Sequence, residues 1–382
     1  MKQQCKAQSV LTVFGQLTRR HLLVFFKNKI RLMYTLLVPV IIFVVYIFFL
    51  RQLELSTVRN TLEDWNKEYG LSLEMTGQLQ VYIETLVDSW MLSGIAALSS
   101  ITVSLQTNNV FVEDKQNGVN RDFASAPIRR SALIGSYVVF NFLVTLLVCI
   151  VYLIICFVYL ACMQEFFLGF VDFITIFGVM LYTTISSTLF TVFICSFIKT
   201  EGTMASLVAV FSTAVGFLIG AYMPLGMLPT WVQTVCAFIP GTYSCALVRY
   251  SFMATPIAEL EQYVVELMPE LTNGQELIAE LTGTFGYNLE FLNVTVGPPY
   301  QMLALTVFNL VFLALNIFSG KKLADVLGVG KKRRKKRAQL AQQHAAGDSK
   351  QTQPAASADA GGEPAAGEEV FAAPDEDLEK KE

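Results

Sequence analysis

The chain has 382 residues, 53% of them hydrophobic and 15% charged, with a net charge of −3 and a mean hydropathy of +0.49. That balance excludes an ordinary water-soluble domain and makes the bilayer the first solvent to consider. Seven cysteines without a Cys-x-x-Cys pair, and only His21 and His344, leave almost no ligands for a zinc site.

In chain order, residues 1–31 come first. Val10, Val13, Phe14 and Leu17 recur at helical spacing, with Arg19, Arg20 and Lys27 largely on other faces, which predicts a basic amphipathic helix along the membrane surface. A hydrocarbon core asks for about 20 consecutive apolar residues per helix. Six such runs follow, at 32–50, 86–107, 132–162, 173–198, 203–223 and 301–319. The second is the least apolar, because its serines, threonines and Asp88 lower its hydropathy. The first is expected to be an uncleaved span, since the 31 residues ahead of it are too long for the charged leader of a signal peptide and no small-residue cleavage site follows. The expected fold is therefore all-α: six transmembrane helices in a domain at 32–320, with outer loops at 51–85, 163–172 and 224–300.

Lysine and arginine set the orientation. Residues 1–31 carry seven bases and no acid, the 108–131 loop carries Lys115, Arg121, Arg129 and Arg130, and the last span is followed by Lys321, Lys322 and KKRRKKR at 331–337. If six spans alternate, all of these share one side. Acids crowd the other, from Glu54 to Glu84 and from Glu259 to Glu290. Both termini are expected in the cytoplasm and the protein in the cytoplasmic membrane.

Between spans five and six, Pro224, Gly226, Pro229, Pro240 and Gly241 interrupt the chain so often that no piece can cross. This predicts a re-entrant or interfacial segment on the outer side, with Trp231 near the headgroups. Cys236 and Cys245 share that region and are the pair a disulfide would join. Two short amphipathic patterns over 256–285 predict a small helical cap, and Asn293-Val294-Thr295 matches a glycosylation acceptor. The 321–337 segment is basic and suits anionic inner-leaflet lipid better than nucleic acid. The tail, 338–382, has the composition of a disordered segment.

Asp88 is the only Asp, Glu, Lys, Arg or His inside the six apolar runs, where an ion-coupled carrier normally needs such groups at mid-depth. No GxxxxGK[ST], HExxH or GxSxG occurs. The chain is therefore expected to be no enzyme and to bind no cofactor, and any uphill work must arrive through its cytoplasmic loops. The segment FVEDKQNGVNRDFASAPIRRS at 111–131 is long enough to leave the membrane, make a helix and return, with a turn at Asn117-Gly118 and a break at Pro127. A solvated basic loop explains its arginines. It does not explain Phe123 or the small residues after it, which suit insertion into a protein cleft.

Three features resemble the permease subunits of type-2 ATP-binding-cassette exporters over about residues 9–320. The first cytoplasmic loop carries Glu113, Gly118, Arg121 and Pro127. The interrupted segment reads Pro224-x4-Pro229-x-Trp231 and Pro240-x2-Tyr243-x5-Arg249. The order of parts is surface helix, six spans and a large outer loop before the sixth. Arg121-Asp122-Phe123 departs from the resemblance, placing charge where many members are apolar. It implies a separate ATP-binding subunit, with ATP and magnesium there, docking on Glu113, Asp114, Gly118, Arg121, Phe123 and Pro127 and on the surface helix. Six spans are half a pathway in that family, so a homodimer, or a heterodimer with a similar permease, is implied. The polar candidates for the pathway are Ser93, Ser99, Ser100, Ser104 and Gln106, for which helix packing is the competing reading. A membrane scaffold or sensor with an outer ligand-binding cap is the alternative function. A secondary carrier is disfavoured by uncharged spans and by the lack of visible inverted repeats.

Overall fold

The computed structural model describes residues 10–69, 77–119, 122–123, 130–163, 168–267, 274–291 and 294–326. Arg121, Pro127, Asn293, the basic stretch 331–337 and the tail lie outside them. Among the described residues six helices are long and apolar enough to cross a membrane, or up to seven if one bent pair counts as a span.

Helix α1 covers Val10–Lys27. Its buried stripe is Leu17, Thr18, His21 and Phe25, whereas Leu11 is exposed and Val13 and Phe14 are only partly covered. The stripe thus lies further along the helix than the apolar spacing predicts. A helix (α6, below) takes its C-terminal half, and Phe25 packs with Val110, Phe140 and Val144. Asn28 then caps α2 (Lys29–Val45), its side chain accepting from the Arg31 N–H.

A π-helical turn, Tyr46–Leu50, joins α2 to α3 (Arg51–Tyr69), and the Arg51 N–H bonds the Tyr46 carbonyl five residues back. The reason lies in the phase of the buried positions. Thr35, Pro39, Phe43 and Tyr46 form one face, and Leu55, Val58, Leu62 and Trp65 form the next. At about 100° per residue, an unbroken α-helix would turn the second face away from the first. One extra residue in the turn realigns them. The expected outer loop at 51–85 is instead helical over 51–69, and from Gly77 onward it is already helix again.

Helix α4 (Gly77–Thr107) is the centre of the bundle. Its most apolar 18-residue window is wholly buried, against 17% for the fifth and sixth crossing helices. Small residues make this feasible, because they let neighbouring backbones approach closely. At Gly94 a methyl group would stand 2.5 Å from the Ala221 carbonyl oxygen. Around α4 stand α2, α6 (Arg130–Cys162), α7 (Phe170–Phe197), α8 (Glu201–Leu218) and α10 (Pro240–Leu267). Helix α12 (Pro298–Val326) packs on α7 and α10.

Between α8 and α10 the chain makes a 3₁₀ turn at Leu225–Met227 and a short helix, α9 (Thr230–Ala237), which meets α10 at 92°. The first amphipathic pattern expected over 256–285 continues α10 through Pro256, because burial along the bundle outweighs the proline; the second is α11 (Gly274–Thr284). Ile257, Leu260, Val264, Leu277, Ile278 and Leu281 join Leu55, Val58, Leu62 and Trp65 in one apolar cluster. Trp65 Nε1 donates to Glu280 across it. A two-stranded hairpin, Leu289–Phe291 with Val294–Val296, precedes α12 and pairs Leu289 with Val296. The disulfide considered for Cys236 and Cys245 is not formed: both are free. The bend sends Cys236 into the cluster around Leu225 and Leu289, and Cys245 into the main core.

Candidate functional site

Beyond the C-terminal end of α4 lies α5 (Asn109–Gln116), the helix of the 108–131 loop. Val110, Phe111 and Val112 bury its apolar side. Gly118 at φ +78 ends it, with its N–H on the Lys115 carbonyl. That left-handed backbone is what glycine supplies at a helix end, and a β-carbon there would meet nothing within 4 Å, so the requirement is purely conformational.

Nearly every polar residue of α5 is engaged. Asp114 accepts from Arg20 Nη1 at 2.6 Å and Nη2 at 2.9 Å, and from the Tyr137 hydroxyl at 2.6 Å. One buried carboxylate therefore ties α1, α5 and α6 through charge-assisted bonds. Glu113 pairs with Arg31 of α2 at 2.6 Å. Lys115 Nζ donates to the carbonyls of Cys195, Ser196 and Ile198, at 2.8, 2.8 and 3.1 Å, which caps the C-terminal end of α7. Gln116 Oε1 accepts from the Glu201 N–H at 2.6 Å, at the start of α8. Phe123 lies under the Arg20 guanidinium, 5.4 Å from ring centroid to Cζ.

Buried His21 stacks on Tyr137 with ring centroids 4.0 Å apart and stands 3.8 Å from Asp114. Burial lowers its pKa from the ordinary value to about 4, Asp114 opposing and Arg20 adding to the shift. The hydrogen bond from Arg20 to Asp114 leads in raising the arginine's own pKa. Beside this block a cavity of about 500 Å³ opens between α2, α4, α5 and α8, lined by Arg31, Tyr34, Gln106, Asn109, Glu113 and Glu201 among others.

The five polar residues considered for a pathway divide. Ser93 and Ser99 donate to carbonyls of their own helix. Ser100 meets Ser187 at 2.8 Å, and Ser104 meets Asn141 and Thr191 at 2.8 and 2.6 Å, forming a polar seam among α4, α6 and α7. Gln106 alone of the five lines the cavity. Asp88 is fully buried and is held by the Tyr46 and Tyr159 hydroxyls and by Arg51 Nε, with Glu84 taking Arg51 Nη2 at 2.9 Å.

In the bent segment, Pro224 and Pro229 precede the 3₁₀ turn and α9, while Pro240 opens α10. Trp231 is 71% exposed. The Tyr243 hydroxyl bonds the Ala237 carbonyl at 3.1 Å, and Arg249 Nη2 the Gly220 carbonyl at 2.6 Å. Of the loop residues read as a docking element, Glu113, Asp114, Gly118 and Phe123 come together here. Arg20, Arg31, Lys115, Gln116 and Tyr137 are additions that sequence reasoning missed, since Asp114 and Arg20 stand 94 positions apart and spacing says nothing of such partners.

Among the described residues no group of three or more His, Cys, Asp or Glu is placed to hold a metal ion. The arrangement is mechanical: a short helix whose side chains grip the ends of several long ones. A family model described as ABC-2 type transporter matches residues 12–253. No curated protein matches the chain.

Proposed function

This chain belongs to the ABC-2 type transporter family, and from that premise we propose that it is the permease half of an exporter driven by a separate ATP-binding subunit. A membrane permease of this family is a transport component and not itself catalytic. The finer reading gives α5 and α1 to the ATPase as its docking surface, with Glu113, Asp114, Gly118, Arg121, Phe123 and Pro127 in the loop. Two copies, or this chain and a similar permease, enclose the pathway. Both termini are cytoplasmic in the cell membrane, the bent segment from Pro224 to Arg249 is re-entrant from outside, and the basic stretch at 331–337 holds anionic lipid.

One observation carries this reading: Asp114 joins α1, α5 and α6 in a single ion-paired block. A push on either docking element is thereby delivered to both. Lys115 and Gln116 pass it to the α7–α8 corner, and Arg31 passes it to α2. Rigid, hydrogen-bonded contacts of this kind are what can carry displacement between sites. Gln106 is the pathway residue this conformation favours. Ser93, Ser99, Ser100 and Ser104 serve packing in it, and reach a pathway only if α4 turns away from α6 and α7.

The test is co-purification and turnover. From native membranes the chain should bring down an ATP-hydrolysing subunit whose rate it stimulates. Deleting residues 113–127 should abolish both while leaving membrane insertion intact. Retained stimulation after that deletion, or uphill transport by the chain alone, overturns the proposal.

A further inference from the structure

Arg249 is the residue the mechanism above leaves unused. It lies in α10, 4% exposed, with its guanidinium over the ring of buried Trp90, 5.3 Å from the centroid. Nη2 is committed to the Gly220 carbonyl, while Nε has no hydrogen-bond partner and neither does Trp90 Nε1 beneath it. Among the described residues no carboxylate forms an ion pair with it. A buried cation without a counter-ion is strongly unfavourable and persists where something neutralises it.

Arg249 also lines a cavity of about 200 Å³, whose wall includes Ile219, Leu225, Thr242, Asn288 and Glu290. Arg249 is buried, whereas Asn288 and Glu290 are exposed. The cavity therefore has a cation in its depth and, nearer solvent, an acid that forms no ion pair among the described residues. An oxyanion alone would answer Arg249 but be repelled by Glu290. A zwitterion with its anion inward and its ammonium outward answers both. At about 30 Å³ per water the volume takes roughly six or seven waters, enough for a phosphate and a two-carbon amine but not for acyl chains.

We propose that this cavity binds a phosphoethanolamine group, phosphate toward Arg249 and ammonium toward Glu290, either free or as the head of a lipid. The inference is independent of the docking role given to α5. It rests on an exposed acid and a buried base that share one cavity without sharing a bond.

The chain has three tryptophans, so the full-length protein labelled with 5-fluorotryptophan offers one ¹⁹F resonance for each. Phosphoethanolamine should shift the Trp90 resonance saturably, and ethanolamine should not. Nanodiscs of phosphatidylethanolamine, compared with phosphatidylcholine, should give the shift without added ligand if the source is lipid. A shift by the soluble compound in both kinds of disc assigns the free source. Arg249→Gln should abolish the response. Glu290→Gln should weaken phosphoethanolamine at least tenfold and, by removing the repulsion, tighten inorganic phosphate; because Glu290 is exposed, this variant decides the matter even if Arg249→Gln does not fold. No saturable shift from either source in the unsubstituted chain overturns the proposal. So does a ligand-free Trp90 shift in Glu290→Gln matching that of Arg249→Gln, which would make Glu290 the internal counter-ion. A ligand-free resonance that moves with protein concentration overturns it too, since a second copy would then supply the acid.

Discussion

Asp114 and His21 carry the sharpest expectations at the level of single residues. Asp114→Asn keeps the shape but removes the charge facing Arg20. The loss should be on the order of 2 kcal/mol, below the range for fully buried pairs because Arg20 is about a third exposed. A thermal melt would read it. Stimulation of the proposed ATPase partner should fall further than stability does, and equal loss of both would argue for a purely structural role. His21 sets a pH dependence whose sign follows from its depressed pKa. Above the ordinary value, near pH 6.5, the imidazole is neutral in folded and unfolded chains alike and the packing is undisturbed. Between pH 6.5 and about 4 the unfolded chain takes up a proton that the folded one refuses, so stability falls, by up to about 3 kcal/mol, and levels off below. Asp114 and Arg20 are the charges beside it and Tyr137 is the ring against it. Melts of the native chain and of His21→Gln from pH 8 to 4 check this, since the variant should lose the slope. Neither expectation was legible in the linear chain. Helical spacing put Arg20 on a face away from the apolar stripe and named no partner for it.

At the level of elements, the π-helical turn gives the clearest test. It adds one residue between two faces that both pack on α4, so deleting Phe49, which is 72% exposed, should let the turn close as an α-helix with both faces still aligned. The Arg51–Asp88 pair at 3.0 Å should survive, and the melting temperature should hold or rise. Inserting an alanine after Phe49 should rotate α3 by about 100° and strip Leu55, Val58, Leu62 and Trp65 from the core. A tolerated insertion would refute the phase argument. Six apolar runs were readable because hydropathy over about 20 residues is a local property. The π turn and α3 were not, since a phase shift shows itself only when one knows which side the partner is on. The bend between α9 and α10 stood between these cases: prolines announced the breaks, but 92° is a tertiary quantity.

For the whole molecule, orientation is the property to measure. In a chain with Cys5 and exposed Cys162 changed to Ser, Glu276→Cys on α11 should react with an impermeant maleimide in intact cells. Gln116→Cys on α5 should react only after permeabilisation, and the reverse pattern would place the docking block outside. By itself the sequence determined that this is an all-α membrane protein with six apolar helices, because the bilayer demands long uncharged runs whatever they pack against. Only the tertiary structure decided which of them is the core. Lipid and protein interior are equally apolar, so hydropathy ranks α4 among the weakest spans, yet it is the one enclosed on every side. Its serines and glycine lower its hydropathy and, by being small and able to hydrogen-bond to α6 and α7, are the reason it can sit there.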